Sequence, residues 1–267
     1  MNYKIHPEAD SCFYGCFRLF LHPIIKEKEM KIALVGYGKM GHEIERIALQ
    51  RGHEIVCAID IDNPEMFGSE EFRQADVAIE FTSPKTAFGN YLKCFEAGLP
   101  VVSGTTGWLD RMPEIQRMCE EEGKTFFYSS NFSLGVNIFF ALNKFLAEKM
   151  NLFPQYDVRM KEIHHQQKLD APSGTAVTLA EDIIARLDRK NAWVNEESKQ
   201  LSDLGIVSER YGAVPGYHEV VYESEVDTIH LVHDAKSRAG FALGAVLAAE
   251  YTFQNKGFLG MHDLLGF

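Results

Sequence analysis

The sequence KIALVGYGKMG, residues 31–41, indicates how the first half of this 267-residue chain folds. Its opening part, Lys31–Val35, is rich in apolar and β-branched side chains, which is typical of a buried strand. A Gly36-x-Gly38-x-x-Gly41 pattern follows directly and opens a helical repeat. Glycines in this arrangement allow a tight turn and a close approach of the backbone to a pyrophosphate. The stretch therefore predicts a dinucleotide-binding turn, and a glycine turn that only packs is the alternative.

Short apolar runs alternate with amphipathic stretches across the first half of the chain. The predicted strands are Lys31–Val35, Glu54–Ile59, Asp76–Phe81, Pro100–Val102 and Thr125–Tyr128. Helices are predicted from Met40 onward, across Thr86–Ala97 and across Asp110–Glu122. Strands and helices that alternate in this way predict an α/β fold with a Rossmann-like, doubly wound parallel sheet.

An acidic residue, Asp60, ends the second predicted strand. A carboxylate at this distance from the glycine turn can accept hydrogen bonds from the adenosine ribose hydroxyls of a dinucleotide. It would repel a 2′-phosphate, and the next two residues, Ile61 and Asp62, supply no cation. This arrangement slightly favours NADH. Lys39 can still serve a phosphate, so NADPH stays open.

Two polar loops follow later strands of the same predicted sheet. Phe81-Thr82-Ser83-Pro84 follows one strand, and Gly104-Thr105-Thr106-Gly107 follows another. The carboxyl ends of parallel strands meet at one edge of the sheet, and small hydroxyl residues there expose backbone groups to a ligand. The loops are therefore candidates for contacts to the nicotinamide half of the cofactor, with ordinary turn chemistry as the alternative.

A polar loop in the second half carries a concentrated group of titratable side chains. It follows a predicted strand, Tyr156–Ile163, and contains His164, His165 and Lys168. Histidine and lysine can donate protons in the working pH range when their surroundings favour it. The loop therefore predicts a site for a small anionic substrate, with a solvated polar loop as the alternative.

The helix after this loop begins with an N-cap pattern. Ser173 is placed as the N-cap, and Gly174 and Thr175 fall in the first turn, where free N–H groups favour a carboxylate. No metal site is predicted, because adjacent histidines point apart in an extended chain and no third ligand is close in sequence. A helix-like stretch, Leu134–Met150, lies before the loop at the predicted crossing between two domains.

The composition, with 46% hydrophobic and 24% charged residues, is that of an ordinary globular protein. A net charge of −11 argues against nucleic acid or an anionic membrane as the main partner. Five cysteines without a CxxC pair favour a reducing cytoplasm, and Cys12 and Cys16 are interpreted as a chance pair. Residues 1–29 are expected to be an extension outside the core fold, since their apolar run is interrupted and too short to span a bilayer. A regulatory or interface arm is the alternative.

The string HHQQKLDAPSGTA, residues 164–176, closely resembles the signature of the 4-hydroxy-tetrahydrodipicolinate reductase (dihydrodipicolinate reductase) family. Four further segments stand in the family's order: Glu80-Phe81-Thr82, Gly104-Thr105-Thr106-Gly107, Asn131-Phe132-Ser133 and Lys236-Ser237-Arg238. Together with the glycine turn, they extend the resemblance over residues 31–267.

The resemblance implies reduction of 4-hydroxy-tetrahydrodipicolinate to tetrahydrodipicolinate with NADH or NADPH, in lysine and diaminopimelate biosynthesis. It implies that His164 and Lys168 supply the proton, and that His165 and the backbone of Gly174 and Thr175 bind the substrate carboxylates. The cofactor contacts that it implies are Gly36, Tyr37, Gly38, Lys39, Met40, Gly41, Asp60, Phe81, Thr82, Gly104, Thr105, Thr106, Ser129, Ser130, Asn131 and Phe132.

The resemblance also implies a domain organisation. Residues 30–130, completed by 240–267, would form the dinucleotide-binding domain, and the expected returning helix is Ala239–Phe253. Residues 131–239 would form an α+β domain that binds the substrate and builds a homotetramer through its sheet. Closure of the two domains about Ser130-Asn131 and Lys236–Arg238 is a further hypothesis.

The chain departs from some family members in ways that limit the transfer of these properties. Its glycine turn is one residue shorter, no arginine follows Asp60, and the chain from Met30 onward is compact for the family, which leaves insertions in the second domain open. Cofactor preference and assembly are therefore not carried over, nor is the choice between the hydroxylated and the dehydrated substrate. Two other functions stay open: another dehydrogenase of aspartate-derived acids, and a non-catalytic NAD(H)-binding sensor.

Overall fold

The computed structural model describes residues 29–237 and 239–267. The predicted extension up to residue 28, the Cys12–Cys16 pair and Arg238 lie outside these residues. Within the two described ranges, no helix is both long and apolar enough to cross a membrane.

A six-stranded parallel sheet contains the strands of the first half of the chain and one strand from near its end. The strands are β1 (Lys31–Val35), β2 (Glu54–Ile59), β3 (Val77–Glu80), β4 (Val101–Ser103), β5 (Phe126–Tyr128) and β11 (Phe258–Gly260). Their order is β11-β5-β4-β3-β1-β2, with every pairing parallel. The direction of winding changes between β1 and β3, and α/β sheets bind ligands at such a switch point. The predicted fold class is confirmed.

Helices cover both faces of this sheet because its strands are apolar on both sides. In chain order, the α-helices of the described residues are α1 (Lys39–Gln50), α2 (Glu70–Arg73), α3 (Pro84–Glu96), α4 (Met112–Glu121), α5 (Leu134–Met150), α6 (Gly174–Ile184), α7 (Ala239–Gln254) and α8 (Met261–Leu265). α1, α7 and α8 pack on one face, around Ile32, Leu34 and Ile79. α2, α3 and α4 pack on the other, around Tyr91 and Phe126.

A second sheet, of five strands, belongs to the second half of the chain. Its strands are β6 (Asp157–His164), β7 (Ala192–Val194), β8 (Asp203–Arg210), β9 (Gly216–Glu223) and β10 (Thr228–Ala235). The order is β10-β9-β6-β8-β7, with β9 antiparallel to both of its neighbours and the other pairings parallel. α5 and α6 cover one face and bury Leu179, Ile183 and Ile206 between the layers.

The predicted element boundaries differ from the observed ones by a few residues. The predicted helix Asp110–Glu122 is a 3₁₀ turn, Leu109–Arg111, followed by α4, whose first turn contains Pro113. Proline suits a first turn because its missing N–H would have no helical partner there. The predicted helix Ala239–Phe253 is one residue longer, and the strands β7 to β11 were not predicted.

The C-terminal helix α7 lies against α1 and is held there by a buried carboxylate. Glu250 of α7 is 4% exposed, and its Oε1 lies 2.6 Å from Arg51 Nε and 2.8 Å from His53 Nε2. Beyond α7, β11 pairs with β5 at the edge of the first sheet. The end of the chain therefore packs on the nucleotide-binding half.

Candidate active site

The glycine turn has the geometry that a pyrophosphate requires. Gly36 has φ of +95°, and its N–H donates to Ile59 O at 2.7 Å. A Cβ at Gly36 would lie 2.1 Å from Phe81 O, so no side chain fits. Gly38 is the N-cap of α1 and supplies no side-chain cap, which leaves the first-turn N–H groups for a ligand. The residues present therefore fit a dinucleotide.

A cleft of about 590 Å³ extends from the glycine turn toward Asp60. Asp60 is exposed, and its backbone is fixed by a 2.7 Å hydrogen bond from its N–H to Asn63 Oδ1. Lys93 lines the same cleft, with Nζ 4.4 Å from the centroid of the Phe67 ring. The residues that line the cleft include Gly36, Gly38, Asp60, Ile61, Phe67, Phe81, Thr82, Thr86 and Lys93.

A buried glutamate, to which the sequence analysis gave no role, joins the two predicted nicotinamide loops. Glu80 is fully buried, and it accepts hydrogen bonds from Ser103 Oγ at 2.8 Å, Thr105 Oγ1 at 3.1 Å and the Thr82 hydroxyl. Burial raises the pKa of Glu80, and these hydrogen bonds oppose the rise. Thr82 N–H also donates to Thr105 Oγ1 at 2.8 Å, so the Phe81–Thr82 and Gly104–Thr106 loops are held side by side.

The segment that leaves β5 completes the same edge of the sheet. Ser129 N–H donates to Ser103 O at 3.3 Å, and Ser129 Oγ donates to Asn131 O at 2.7 Å. Asn131 Nδ2 lies 3.5 Å from Thr175 Oγ1, in the first turn of α6. Phe132 is buried and Ser130 is exposed. The structure thus brings the predicted cofactor loops next to the predicted carboxylate-binding helix.

The predicted substrate loop follows β6 directly. His164, the last residue of β6, is 7% exposed, and its Nδ1 lies 3.2 Å from Glu162 Oε2. Lys168 is half-buried, and its Nζ lies 2.9 Å from Asp170 Oδ1. The backbone N–H of Lys168 donates to the backbone O of His165 at 3.1 Å. The loop therefore keeps its three predicted residues together around a tight turn.

Ser173 is the N-cap of α6, as predicted. Its Oγ accepts from Ala176 N–H at 3.2 Å and lies 3.1 Å from His218 Nε2. Gly174 is exposed and Thr175 is half-buried, both in the first turn. The other first-turn N–H groups of a helix have no partner within the helix, and a carboxylate is favoured at such an end.

A carboxylate lies at the centre of the region that the sequence predicted to be positive. Glu162 is fully buried, and its Oε1 accepts from Arg210 Nη2 at 3.0 Å and from Ser173 N–H at 3.1 Å. Its Oε2 lies 3.8 Å from His218 Nε2. Sequence reading missed this cluster because Arg210 is 48 residues from Glu162. The available signal was the inward-facing position of a glutamate on an alternating strand.

The electrostatics of this cluster separate its members into charged and neutral groups. Burial would raise the pKa of Glu162, but hydrogen bonds from His164, Ser173, Ser208 and Arg210 together hold it well below its usual range. Burial first, and the neighbouring His164 second, lower the pKa of His218 to about 3. Glu162 is therefore ionised and His218 neutral near pH 7.

Glu162, His164 and His218 also place one potential metal ligand each within 4.8 Å of the others. A guanidinium 3.0 Å from the same carboxylate disfavours a metal cation, because the two positive charges would repel. His218 Nε2 is moreover within hydrogen-bonding distance of Ser173 Oγ. The arrangement is suited to binding an anion and moving a proton.

Comparison with known proteins identifies both halves of the chain. The family model described as dihydrodipicolinate reductase, N-terminus, matches residues 30–132, and the model described as dihydrodipicolinate reductase, C-terminus, matches residues 135–265. The 4-hydroxy-tetrahydrodipicolinate reductase of Christiangramia forsetii is 49% identical over 88% of this chain and 98% of its own length. That of Staphylococcus aureus strain MRSA252 is 35% identical over 85% of this chain and 100% of its own.

Solved structures agree on the fold. A dipicolinate-bound dihydrodipicolinate reductase from Paenisporosarcina sp. TG-14 superposes with a TM-score of 0.69 at 24% identity, covering 87% of this chain and 98% of that one. An apo scyllo-inositol dehydrogenase from Lactobacillus casei, 12% identical, superposes with a TM-score of 0.50 over 86% of this chain and 88% of its own. Both family models match, and a relative named 4-hydroxy-tetrahydrodipicolinate reductase is 49% identical to the chain. The chain therefore belongs to the dihydrodipicolinate reductase family.

Proposed function

We propose that this chain is an NAD(P)H-dependent 4-hydroxy-tetrahydrodipicolinate reductase of lysine and diaminopimelate biosynthesis. The net reaction removes water from the hydroxylated ring and adds one hydride and one proton, which gives tetrahydrodipicolinate. The observation that carries the proposal is the 3.5 Å contact between Asn131 and Thr175, which puts the cofactor loops beside the substrate helix. Relatives of matching length carry the same name, which supports the assignment.

The proton comes from the loop after β6. His164 and Lys168 are assigned as the catalytic residues, because His164 ends β6 and Lys168 lies on the loop that connects β6 to the start of α6. Lys168 is held by Asp170 at 2.9 Å, which keeps its ammonium group close to the loop. A bound nicotinamide supplies the hydride. Negative charge that develops on the ring is stabilised by nearby cations and by the proton donor.

The substrate carboxylates bind where α6 begins. His165 and the backbone N–H groups of Gly174 and Thr175 are assigned as their contacts. A helix N-terminus favours an anion because its first N–H groups and the positive end of its dipole face the ligand. The bound dipicolinate of the Paenisporosarcina protein is a dicarboxylate, which supports this substrate class.

The glycine turn, Gly36 to Gly41, would hold the pyrophosphate of the cofactor, with NADH slightly preferred to NADPH. Asp60 would accept hydrogen bonds from the adenosine ribose, at the far side of the cleft that Gly36 and Gly38 line. The Phe81–Thr82, Gly104–Thr106 and Ser129–Phe132 segments would hold the nicotinamide half. NADPH stays a possible cofactor because two cations could serve its extra phosphate. Lys39 lies in the glycine turn, and Lys93 lines the cleft that leads to Asp60.

The protein acts in the cytoplasm as a homotetramer built through the second sheet. The face of this sheet that α5 and α6 leave open forms a groove of about 540 Å³ with alternating charges, among them Arg159, Lys161 and Glu219. We divide the chain into a dinucleotide-binding domain, residues 30–130 with 240–267, and a substrate and assembly domain, residues 131–239. Sedimentation analysis is expected to give four chains per particle, and a monomer would contradict this assembly.

The experiment is nucleotide oxidation by the wild-type chain, with the substrate generated from pyruvate and aspartate semialdehyde by a synthase. Oxidation of NADH that depends on the synthase, with tetrahydrodipicolinate as the product, is the expected result. Tight NADH binding without turnover would instead favour a sensor.

A further inference from the structure

We infer that Glu162 is a positioning residue that holds His164 and Arg210 in place with the two oxygens of one buried carboxylate. This inference rests on the proposed function, because the proposed function assigns His164 to proton transfer. Glu162 does not itself need to contact substrate or cofactor. Its proposed effect on the rate passes through the groups that it holds.

The contact between Glu162 and His164 joins two buried polar atoms. Glu162 Oε2 and His164 Nδ1 are both buried and lie 3.2 Å apart, and within the described residues neither atom makes a hydrogen bond of good geometry, to the other or elsewhere. Buried polar atoms are nearly always paired, and a carboxylate can only accept. A proton on Nδ1 would satisfy both atoms with a small shift of the ring; this pairing would fix the tautomer and leave Nε2 for the proton exchange.

The space beside Nε2 is kept free by a glycine. A Cβ at Gly216, on β9, would lie 3.2 Å from His164 Nε2, which is tighter than an ordinary contact. The rings of His164 and His218 meet edge to face with their centroids 5.0 Å apart. The ring of His164 is therefore held on its Nδ1 side by Glu162 and packed against β9, so it cannot turn freely.

The other carboxylate oxygen of Glu162, Oε1, contacts Arg210 and the start of α6. Oε1 accepts a hydrogen bond from Arg210 Nη2 at 3.0 Å and another from the backbone N–H of Ser173 at 3.1 Å. Ser173 is the residue that caps α6. Arg210 also donates to Asp170 O, and Asp170 pairs with Lys168. One carboxylate therefore joins β6, β8, the start of α6 and the lysine loop. Such supporting contacts orient the groups that perform the chemistry.

The charge of Glu162 is compensated from every element packed against it. His164 faces it from its own strand, Arg210 and Ser208 from β8, His218 from β9, and Ser173 from the start of α6. A buried carboxylate with this set of donors stays ionised without a substrate. The ring of His164 is therefore held before the substrate binds.

A double-mutant cycle tests the inference. Glu162→Gln keeps the size of the side chain and is expected to lower kcat by about 100-fold, within the range for loss of a general acid. In a His164→Gln background the same change is expected to lower kcat by less than about 5-fold, because residues that act through each other are not additive. The Kd of NADH, measured by fluorescence, is expected to stay within about 3-fold of wild type in each variant. Glu148→Gln, an exposed glutamate on α5, is the matched control and should leave kcat unchanged.

Two results would overturn the inference. One is a Glu162→Gln enzyme with a kcat within about 3-fold of wild type, and the other is an equal loss of kcat in both backgrounds, which indicates a purely structural role. If Glu162→Gln fails to fold, Glu162→Asp keeps the charge, and its kcat should fall in the wild-type background and not in the His164→Gln background. Wild-type turnover is measured in the same assay, so failure of the proposed function is recognised separately.

Discussion

Asn131 Nδ2 lies 3.5 Å from Thr175 Oγ1, and this contact joins the two sheets at the site. Asn131 follows the last central strand of the parallel sheet, and Thr175 lies in the first turn of α6. The segment assigned to the nicotinamide and the helix turn assigned to the substrate carboxylate therefore lie next to each other. A reductase needs both within reach of a single small ring.

Removal of the Asp60 carboxylate is expected to change the cofactor preference. Asp60→Ala should weaken NADH binding by about 10-fold, because hydrogen bonds to the ribose hydroxyls are lost. The affinity for NADPH should fall less than that for NADH, or should rise, because the repulsion between the Asp60 carboxylate and the 2′-phosphate is also lost. Fluorescence titration with both nucleotides measures the ratio. Asp62→Ala, which alters an exposed acid two residues away, is the control. An unchanged NADH to NADPH ratio in Asp60→Ala would refute the assigned contact.

The glycine turn is expected not to tolerate a methyl group. Gly36→Ala places a Cβ 2.1 Å from Phe81 O at a φ of +95°, so the turn must move. NADH binding should be lost, and the protein should be destabilised by more than about 1 kcal/mol. Gly89→Ala is the matched control, because Gly89 lies inside α3 with no atom within 4 Å of the new Cβ. That change should stabilise the chain by up to about 1 kcal/mol. Isothermal titration and denaturant unfolding measure both, and NADH binding by Gly36→Ala would contradict the turn geometry.

Loss of the Glu250 carboxylate is expected to weaken the packing of α7 on α1. Glu250→Gln leaves Arg51 and His53 without the buried charge that they pair with, and should cost about 3 kcal/mol of unfolding free energy. Burial would raise the pKa of Glu250, but His53 and Arg51 lower it overall. This stabilisation is therefore complete above the ordinary glutamate pKa and is lost as the pH falls through the lowered value.

Urea unfolding at several pH values tests this sign. The difference between wild type and Glu250→Gln should be constant near neutrality and should shrink in acid. Glu120→Gln, on the exposed side of α4, should show little difference at any pH. A wild-type advantage that grows toward low pH would contradict the pairing.

The parallel sheet was predictable because its signals are local. Each strand from Lys31–Val35 to Phe126–Tyr128 is a short apolar run followed by a polar or glycine-containing loop, so its position can be read without knowing its neighbours. The N-cap at Ser173 was predictable for the same reason. The strands of the second sheet were harder. β10, for instance, alternates between exposed and half-buried residues and contains no fully buried one.

The centre of the site was not predictable, because its members come from distant parts of the chain. Glu162 joins the candidate site only through strand pairing, which places it opposite His218 and beside β8, the strand that carries Arg210. The loop His164–Lys168 alone suggested a purely positive site. The contact between Asn131 and Thr175 likewise joins residues 44 apart, and no local pattern indicates it.

The most direct test of the central claim compares wild type with Lys168→Ala in the coupled assay, with NADH and with NADPH. The wild-type chain is expected to oxidise the nucleotide only when the cyclic substrate is supplied. Lys168→Ala is expected to lose about 10²- to 10⁴-fold in kcat, as for loss of a general acid, with its Kd for NADH unchanged. Lys199→Ala, an exposed lysine outside the site, should match wild type. Nucleotide binding without turnover by the wild-type chain, or full activity in Lys168→Ala, would contradict the account.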